Sequence, residues 1–266
     1  MAGSILDHQI ITCRYFFPRP CRFDNPFLVH CGAAVLGCHY HVHDPEALTV
    51  VLFHGNGETV EDYMGDFSER FDRMGVNLLL AEYRGYGMSG GEPVLGGMLD
   101  DVENIIRALR VPPERIVLFG RSLGSLYAIH GVKCFPRAGG LIIESGIADP
   151  LERILLRVAP QELGVTHEEL RDEVERLFNN REKLAGYHGK VLIMHARNDD
   201  LVDVSHGERL HAWAGGEKEL KIFERGDHNT ILQVNARDYF ALVERFIHSL
   251  QADPPTIRAA KSPAFH

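Results

Sequence analysis

The chain alternates short apolar runs with longer amphipathic stretches, and this alternation restricts the fold more than any other feature of the sequence. Most of the short runs are apolar at successive positions, which indicates strands covered by helices on both faces. The runs are TVVLFH at 49–54, NLLLAEY at 77–83, RIVLFG at 115–120, GLIIES at 140–145, KVLIMH at 190–195 and ELKIFE at 219–224. Repeated strand–helix units predict a mostly parallel, doubly wound α/β sheet.

The stretches between the runs carry apolar residues at spacings of three and four, as amphipathic helices do. They lie at 62–74, 98–109, 123–132, 204–213 and 234–250. The first forty residues lack this rhythm. We predict irregular structure or antiparallel edge strands there, with AAVLGCHYHV at 33–42 as the best candidate.

We predict a single domain over residues 1–250. Two segments of the chain depart from the strand–helix alternation. Residues 146–189 are rich in charge and helical in pattern, and they are too long for one crossover loop. We predict that they form a small helical cap over the carboxyl ends of the strands. Residues 251–266 lack periodicity and contain three prolines, which indicates a flexible C-terminal tail.

Composition excludes several classes of protein. The formal net charge is −9 and no basic run is present, which argues against nucleic acid as a partner. Five scattered cysteines fit reduced thiols better than a disulfide framework. The N-terminal sequence does not resemble a signal peptide, and no apolar run approaches the ~18 residues of a membrane span. These features predict a cytoplasmic protein without an integral membrane segment, and they leave its oligomeric state open.

The segment GRSLG at 120–124 predicts a nucleophile, because it joins an apolar run to a helical stretch. A tight strand-to-helix turn holds its central residue, Ser122, at positive φ, and it crowds the positions two before and two after. Glycine is therefore favoured at both, as Gly120 and Gly124 provide. In open α/β sheets such a turn raises its central side chain into the crevice at the carboxyl ends of the strands.

A serine hydroxyl needs a base, which is usually a histidine oriented by a carboxylate. In this fold class the partners follow in the order serine, acid, histidine, each in a loop after a later strand. His228 is the histidine in the loop after the 219–224 run, so we predict that it is the base. The loop after 190–195 offers Asp199, Asp200 and Asp203 as acids. Asp203 also fits the cap of the next helix.

A tetrahedral intermediate needs two N–H donors for its oxyanion. The residue after the nucleophile, Leu123, supplies one. The loop HGNG at 54–57 follows the 49–54 run, and its glycines allow the backbone to approach a substrate. We predict that the N–H of Asn56 is the second donor.

Two other motifs carry weaker signals. GYGMSG at 85–90 matches a dinucleotide-binding pattern, but glycine and proline follow where a helix should begin, so we expect a flexible loop beside the pocket and no nucleotide. His39, His41 and His43 alternate along a predicted strand. No pattern of acids or cysteines completes a metal set, so a solvated edge-strand face is expected. We therefore predict neither cofactor nor metal.

Several strings together resemble the α/β-hydrolase superfamily over about residues 28–250, namely FHGNGE, EYRGYGMSGGEP, LFGRSLGS, KVLIMHARNDDLVDVSHGERL and DHNTI. They are similar to a branch of small serine hydrolases that includes bacterial esterase-like proteins and eukaryotic protein depalmitoylases. The resemblance implies an α/β-hydrolase fold of about eight strands with a modest cap. It also implies that Ser122, Asp199 and His228 form the triad, with Asn56 and Leu123 as the oxyanion hole.

These observations predict a cofactor-free serine hydrolase that cleaves carboxylic esters or thioesters in small or acylated substrates. The cap and the loops at 85–91 and 146–150 are expected to line the acyl pocket. An acyltransferase or amidase using the same triad remains an alternative. So does a non-catalytic binding protein on the same fold, because fold does not fix function.

Overall fold

The computed structural model describes residues 4–252, and eight strands within that range form one sheet. The strands are β1 (Phe27–Cys31), β2 (Ala34–His41), β3 (Thr49–Phe53), β4 (Asn77–Ala81), β5 (Ile116–Arg121), β6 (Gly140–Glu144), β7 (Lys190–Ala196) and β8 (Lys218–Phe223). Their spatial order is β1-β2-β4-β3-β5-β6-β7-β8. β1 pairs antiparallel with β2, and β2 pairs antiparallel with β4. The six strands β3 to β8 run parallel to one another.

Helices connect the strands. They are α1 (Gln9–Tyr15), α2 (Asp66–Arg73), α3 (Met98–Ala108), α4 (Gly124–Cys134), α5 (Pro150–Leu155), α6 (His167–Phe178), α7 (Asn180–Ala185), α8 (Val204–Trp213) and α9 (Ile231–Ala252). Short 3₁₀ turns lie at Ile5–Asp7, Val60–Tyr63, Pro113–Arg115 and Pro160–Leu163. α9 is kinked at Asn235, where φ is −123° and ψ is 18°.

Two apolar cores lie on opposite faces of the sheet. Alternate residues of one strand point to different cores, so that Val50 packs with α2 and α9 while Val51 packs with α3, α4 and α8. This arrangement explains why the central strands are buried at every position. The architecture confirms the predicted doubly wound α/β fold with helices on both faces.

The stretch 146–189 contains α5, the turn Pro160–Leu163, α6 and α7. α5 packs against α6, and α6 contacts the N-terminal turn Ile5–Asp7. α7 packs against α4 and α8 in the helical layer. The domain limits at 146, 189 and 250 stay predictions.

The N-terminal region differs from its prediction. Helix α1 stands where irregular structure or strands were expected, although β1 and β2 do form an antiparallel pair. β2 lies within the predicted strand candidate, but it pairs with both β1 and β4 and is therefore not an edge strand. The predicted flexible tail, 251–266, lies outside the described residues beyond its first two positions, which end α9. Within residues 4–252, no helix combines the length and apolar character that crossing a bilayer requires.

Candidate active site

Ser122 lies at the turn between β5 and α4, and its φ is 51°. The turn leaves no space beside it. A Cβ on Gly120 would lie 2.5 Å from the carbonyl oxygen of Gly124, and a Cβ on Gly124 would lie 1.9 Å from that of Phe53. Both positions therefore require glycine, and the packed backbone holds the serine in a left-handed conformation that L-residues seldom adopt.

Three side chains from loops at the carboxyl ends of β5, β7 and β8 meet in one hydrogen-bonded series. The Oγ of Ser122 lies 2.9 Å from Nε2 of His228. Nδ1 of His228 lies 2.8 Å from Oδ2 and 3.0 Å from Oδ1 of Asp199. An ionised carboxylate only accepts hydrogen bonds, so Nδ1 donates and Nε2 is left to accept the serine proton. The structure thus brings together the three side chains that the sequence analysis selected.

The surroundings of Asp199 favour its charged form. Burial opposes ionisation, but hydrogen bonds from His195 and His228, together with the backbone N–H of Val202 at 2.7 Å, hold the pKa of Asp199 below its usual range. A backbone N–H of Leu201 also donates to Oδ1, at 3.0 Å. The carboxylate is therefore both fixed in orientation and ionised at neutral pH.

The other aspartates of the loops that carry Asp199 and His228 have different environments. Asp200 is exposed. Asp203 caps α8 by accepting from the N–H of Ser205 at 3.0 Å. Asp227, next to His228, accepts from the N–H groups of Asn229 and Thr230 and so shapes the histidine loop.

His195 contacts the same carboxylate, and the sequence analysis did not single it out. It is fully buried at the end of β7, with Nε2 2.8 Å from the carbonyl oxygen of Val202 and 3.3 Å from Oδ2 of Asp199. A histidine at the end of an otherwise apolar buried run, four residues before a candidate acid, was the available signal.

Asn56 and Leu123 both line the pocket beside Ser122. Neither backbone N–H has an acceptor among residues 4–252. The Asn56 side chain is already engaged, since its Oδ1 accepts from the Tyr86 hydroxyl at 2.8 Å and its Nδ2 donates to the Tyr15 carbonyl. The arrangement leaves two backbone donors available near the serine.

A charged network lies beneath the turn. Arg121 is mostly buried, pairs with Glu58 and Glu144, and donates to the carbonyl oxygen of His228 at 2.9 Å. Tyr239 donates to the other oxygen of Glu144 at 2.5 Å. Burial alone would lower the pKa of Arg121, but these acidic neighbours raise it, so the guanidinium stays charged. It links β5, β6 and the histidine loop.

The pocket above Ser122 has a volume of about 200 Å³ and is largely apolar. One wall is Tyr15, Phe16 and Phe17 from the N-terminal segment, and another is α5 with the residues that flank it. The full lining is Tyr15, Phe16, Phe17, Asn56, Leu95, Arg121, Ser122, Leu123, Leu126, Ile147, Pro150, Arg153, Ile154, Arg157, Leu201, Val202, His228 and Asn229.

The loop 146–150 lines this pocket as expected, through Ile147 and Pro150, but the prediction for 85–91 is wrong. None of residues 85–91 lines the pocket. Instead Tyr86 is buried and donates to Asn56, while Gly87 pairs with the N-terminal segment at Pro20. The loop 85–91 therefore contacts the site through Asn56 without lining the pocket. The sequence analysis did not predict the aromatic wall at 15–17.

The alternating histidines do not share a single environment. His41 and His43 both contact Asp72, at 2.7 and 2.9 Å, whereas His39 packs edge-on against Phe23. Within residues 4–252, no group of three or more His, Cys, Asp or Glu side chains is arranged as metal ligands.

The sequence model of the family described as serine aminopeptidase S33 matches residues 44–188, which is more than half of the chain. The chain belongs to this hydrolase family. It is therefore a member of the α/β-hydrolase superfamily, as the resemblance implied.

Relatives of this α/β-hydrolase support the same assignment. Alpha/beta hydrolase domain-containing protein 17C of Xenopus tropicalis is 28% identical over 201 residues, which are 74% of this chain and 61% of the relative. The chain thus spans about three fifths of the length of that relative.

Solved structures share the fold at low identity. Est1E of Butyrivibrio proteoclasticus, determined with ferulic acid bound, has a TM-score of 0.70 at 16% identity, covering 85% of this chain and 99% of its own. The esterase Pf2001 of Pyrococcus furiosus has a TM-score of 0.68 at 19% identity, covering 87% and 98%.

Proposed function

We propose that this α/β-hydrolase is a serine esterase or thioesterase in which Ser122, His228 and Asp199 form a catalytic triad. The observation that carries the proposal is the unbroken hydrogen-bonded series from the Ser122 hydroxyl through His228 to Asp199, at 2.9 and 2.8 Å. The Ser122 end of this series lines an apolar pocket that can hold an acyl group.

The reaction would proceed in two stages. Ser122 Oγ forms a bond to the acyl carbonyl carbon while Nε2 of His228 accepts its proton. The tetrahedral intermediate then collapses, the carbon–oxygen or carbon–sulfur bond breaks, and His228 gives that proton to the leaving group. Water repeats the sequence on the acyl-enzyme, releases the carboxylic acid and restores the serine.

Asp199 has two tasks in this scheme. It fixes the imidazole with its proton on Nδ1, and its negative charge stabilises the imidazolium that forms when His228 accepts the serine proton. The depressed pKa of Asp199 supports both tasks, because the carboxylate stays ionised over the whole neutral range.

The oxyanion would be stabilised by the N–H groups of Leu123 and Asn56, which have no acceptor among the described residues. Leu123 also precedes the first residue of α4, whose N-terminal end favours negative charge. Such preorganised donors typically contribute a factor of about 10²–10³ in kcat each.

The pocket volume favours short acyl chains. At about 200 Å³ it is smaller than the roughly 300–1,000 Å³ typical of sites for drug-sized ligands. We expect p-nitrophenyl butyrate to be cleaved faster than p-nitrophenyl palmitate.

A fluorophosphonate probe tests the proposal. The wild-type protein and Ser249→Ala should be labelled and should hydrolyse p-nitrophenyl esters, whereas Ser122→Ala and His228→Ala should do neither. Ser249 is a suitable control because its hydroxyl donates to the carbonyl oxygen of Phe246 within α9, and it does not line the pocket. Labelling of Ser122→Ala at the wild-type level would remove the proposed nucleophile. Absence of labelling and hydrolysis in the wild type would instead favour a non-catalytic binding protein.

A further inference from the structure

The active-site pocket carries positive charge that the proposed chemistry does not use. Arg121, Arg153 and Arg157 line it, and no aspartate or glutamate does. Arg121 is neutralised by Glu58 and Glu144. Arg153 and Arg157 have no carboxylate within 4.0 Å among the residues that the structure describes.

Arg153 differs from the other partly buried arginines. Seven arginines in residues 4–252 are neither fully buried nor exposed, and six of them pair with a carboxylate. The paired ones are Arg14, Arg70, Arg84, Arg115, Arg121 and Arg209. The Arg153 guanidinium donates no hydrogen bond to any described residue. A half-buried guanidinium without a counterion is costly to desolvate, so most proteins pair it.

The carboxylates near Arg153 in sequence are already engaged. Asp149 caps α5 by accepting from the N–H of Leu151 at 2.9 Å. Glu152 is held in a bidentate pair by Arg209, at 2.7 and 2.8 Å. Neither is therefore free to neutralise Arg153 when a ligand is absent.

Arg157 lies four residues further along, just past the end of α5, and it is an exposed residue that lines the same pocket. Its guanidinium lies over the rings of Tyr15 and Phe17, 5.5 and 5.7 Å from their centroids. It also donates to the carbonyl oxygen of Arg14 at 3.0 Å. These contacts hold a cation at the aromatic side of the pocket without neutralising it.

From these observations we propose that the substrate carries an anionic group, a carboxylate or a phosphate, that Arg153 and Arg157 bind while its acyl carbonyl lies at Ser122. This inference rests on the proposed function for the location of the carbonyl. A planar guanidinium can bind a carboxylate or a phosphate through paired N–H donors. The apolar lining between Ser122 and the two arginines suits a short carbon chain that joins the carbonyl to the anionic group.

Matched substrates test the charge preference. Mono-p-nitrophenyl esters of dicarboxylic acids from succinate to sebacate are compared with their methyl-capped, neutral counterparts. We expect the wild-type kcat/KM to favour the anionic member at least tenfold at one optimal chain length. A p-nitrophenyl ester of 6-phosphonooxyhexanoate forms a second arm: a larger preference there identifies a phosphorylated substrate, and a larger preference in the first arm identifies a dicarboxylic one.

Variants assign the preference to residues. Arg153→Gln should reduce the anionic-to-neutral ratio severalfold, Arg153→Lys should restore part of it, and the Arg153→Gln/Arg157→Gln double variant should abolish it. Arg171→Gln is the control, because Arg171 is an exposed arginine of α6 that pairs with Asp172 and does not line the pocket. It removes one positive charge and should leave the ratio unchanged. An equal ratio in wild type and Arg153→Gln overturns the inference.

Binding separates this inference from the proposed function. Titration calorimetry with hexyl phosphate and hexanol on the wild type and on Arg153→Gln requires no turnover. Tighter binding of hexyl phosphate than hexanol in the wild type, lost in Arg153→Gln, supports the anion site even if Ser122 proves inactive. Hydrolysis of neutral esters that depends on Ser122, with no anion preference and no difference in binding, supports the triad and refutes the anion site.

Discussion

At the scale of single residues, the structure distinguishes among candidate acids that the sequence left open. Asp199 and Asp200 are adjacent, yet one is buried against His228 and the other is exposed. The backbone N–H groups of Leu201 and Val202 both donate to Oδ1 of Asp199, so the turn as well as His228 sets the orientation of the carboxylate.

Asp199→Asn should lower kcat by about 10⁴, because an amide can donate to Nδ1 and stabilise the wrong imidazole tautomer. Asp200→Asn, one residue away, should keep near wild-type kcat since its side chain is exposed. Steady-state kinetics on one p-nitrophenyl ester measure kcat for both variants and for the wild type. If Asp200→Asn or Asp203→Asn shows the large loss and Asp199→Asn does not, the assignment of the acid is wrong.

Arg121→Met should destabilise the fold by about 3–5 kcal/mol, because it leaves the buried Glu144 and the partly buried Glu58 without their counterion. Tyr239→Phe, which removes one hydrogen bond to Glu144, should cost about 1–3 kcal/mol. Urea unfolding measures both. A smaller loss for Arg121→Met than for Tyr239→Phe would show that the network does not depend on the guanidinium.

At the scale of secondary-structure elements, the parallel strands were predictable to within one or two residues, because burial on both faces imposes continuous apolar runs. Helix α8 has the predicted bounds. Helix α1 was not predicted. It has seven residues, and it is stabilised by contacts that lie far away in sequence, such as the hydrogen bond from Thr12 to the carbonyl oxygen of Pro93. Local periodicity carries no information about such partners.

Helix α7 contains a buried lysine whose charge should make stability depend on pH. Burial, with a smaller contribution from Lys133, lowers the pKa of Lys183 from 10.5 to about 7. Between pH 7 and 10.5 the unfolded chain therefore binds more protons than the folded one at this residue. Its contribution to stability rises with pH across that window, by up to about 1.4 kcal/mol per pH unit.

Lys183→Met should lack this rise, so the unfolding free energy of the variant minus that of the wild type should fall from pH 7 to pH 10. Arg181→Met removes an exposed cation from the same helix and should give a difference that does not vary with pH. Chemical denaturation at intervals of half a pH unit measures both. Parallel pH profiles for wild type and Lys183→Met would show that Lys183 keeps its ordinary pKa.

At the scale of the whole molecule, the sequence predicted which side chains the fold brings together at the candidate site better than it predicted the pocket around them. Each predicted site residue lies in a turn whose local sequence constrains it, as Gly120 and Gly124 constrain Ser122. The walls instead come from two segments about 135 residues apart in sequence, 15–17 and 150–157, and their pairing is a property of the folded chain. The loop 85–91 was misplaced for the same reason.

The two walls are joined by the Tyr15 hydroxyl, which donates to the carbonyl oxygens of Arg153 and Ile154 at the end of α5. Tyr15→Phe removes this link and keeps the ring. The loss of about 1 kcal/mol should let amides of residues 150–157 exchange with solvent roughly fivefold faster. KM should rise while kcat changes little, because the triad lies on other loops. Tyr40→Phe, on β2, is the control, since its ring packs edge-on against Phe27 away from the pocket. Faster exchange across the central strands as well would indicate general destabilisation rather than a local link between the N-terminal segment and α5.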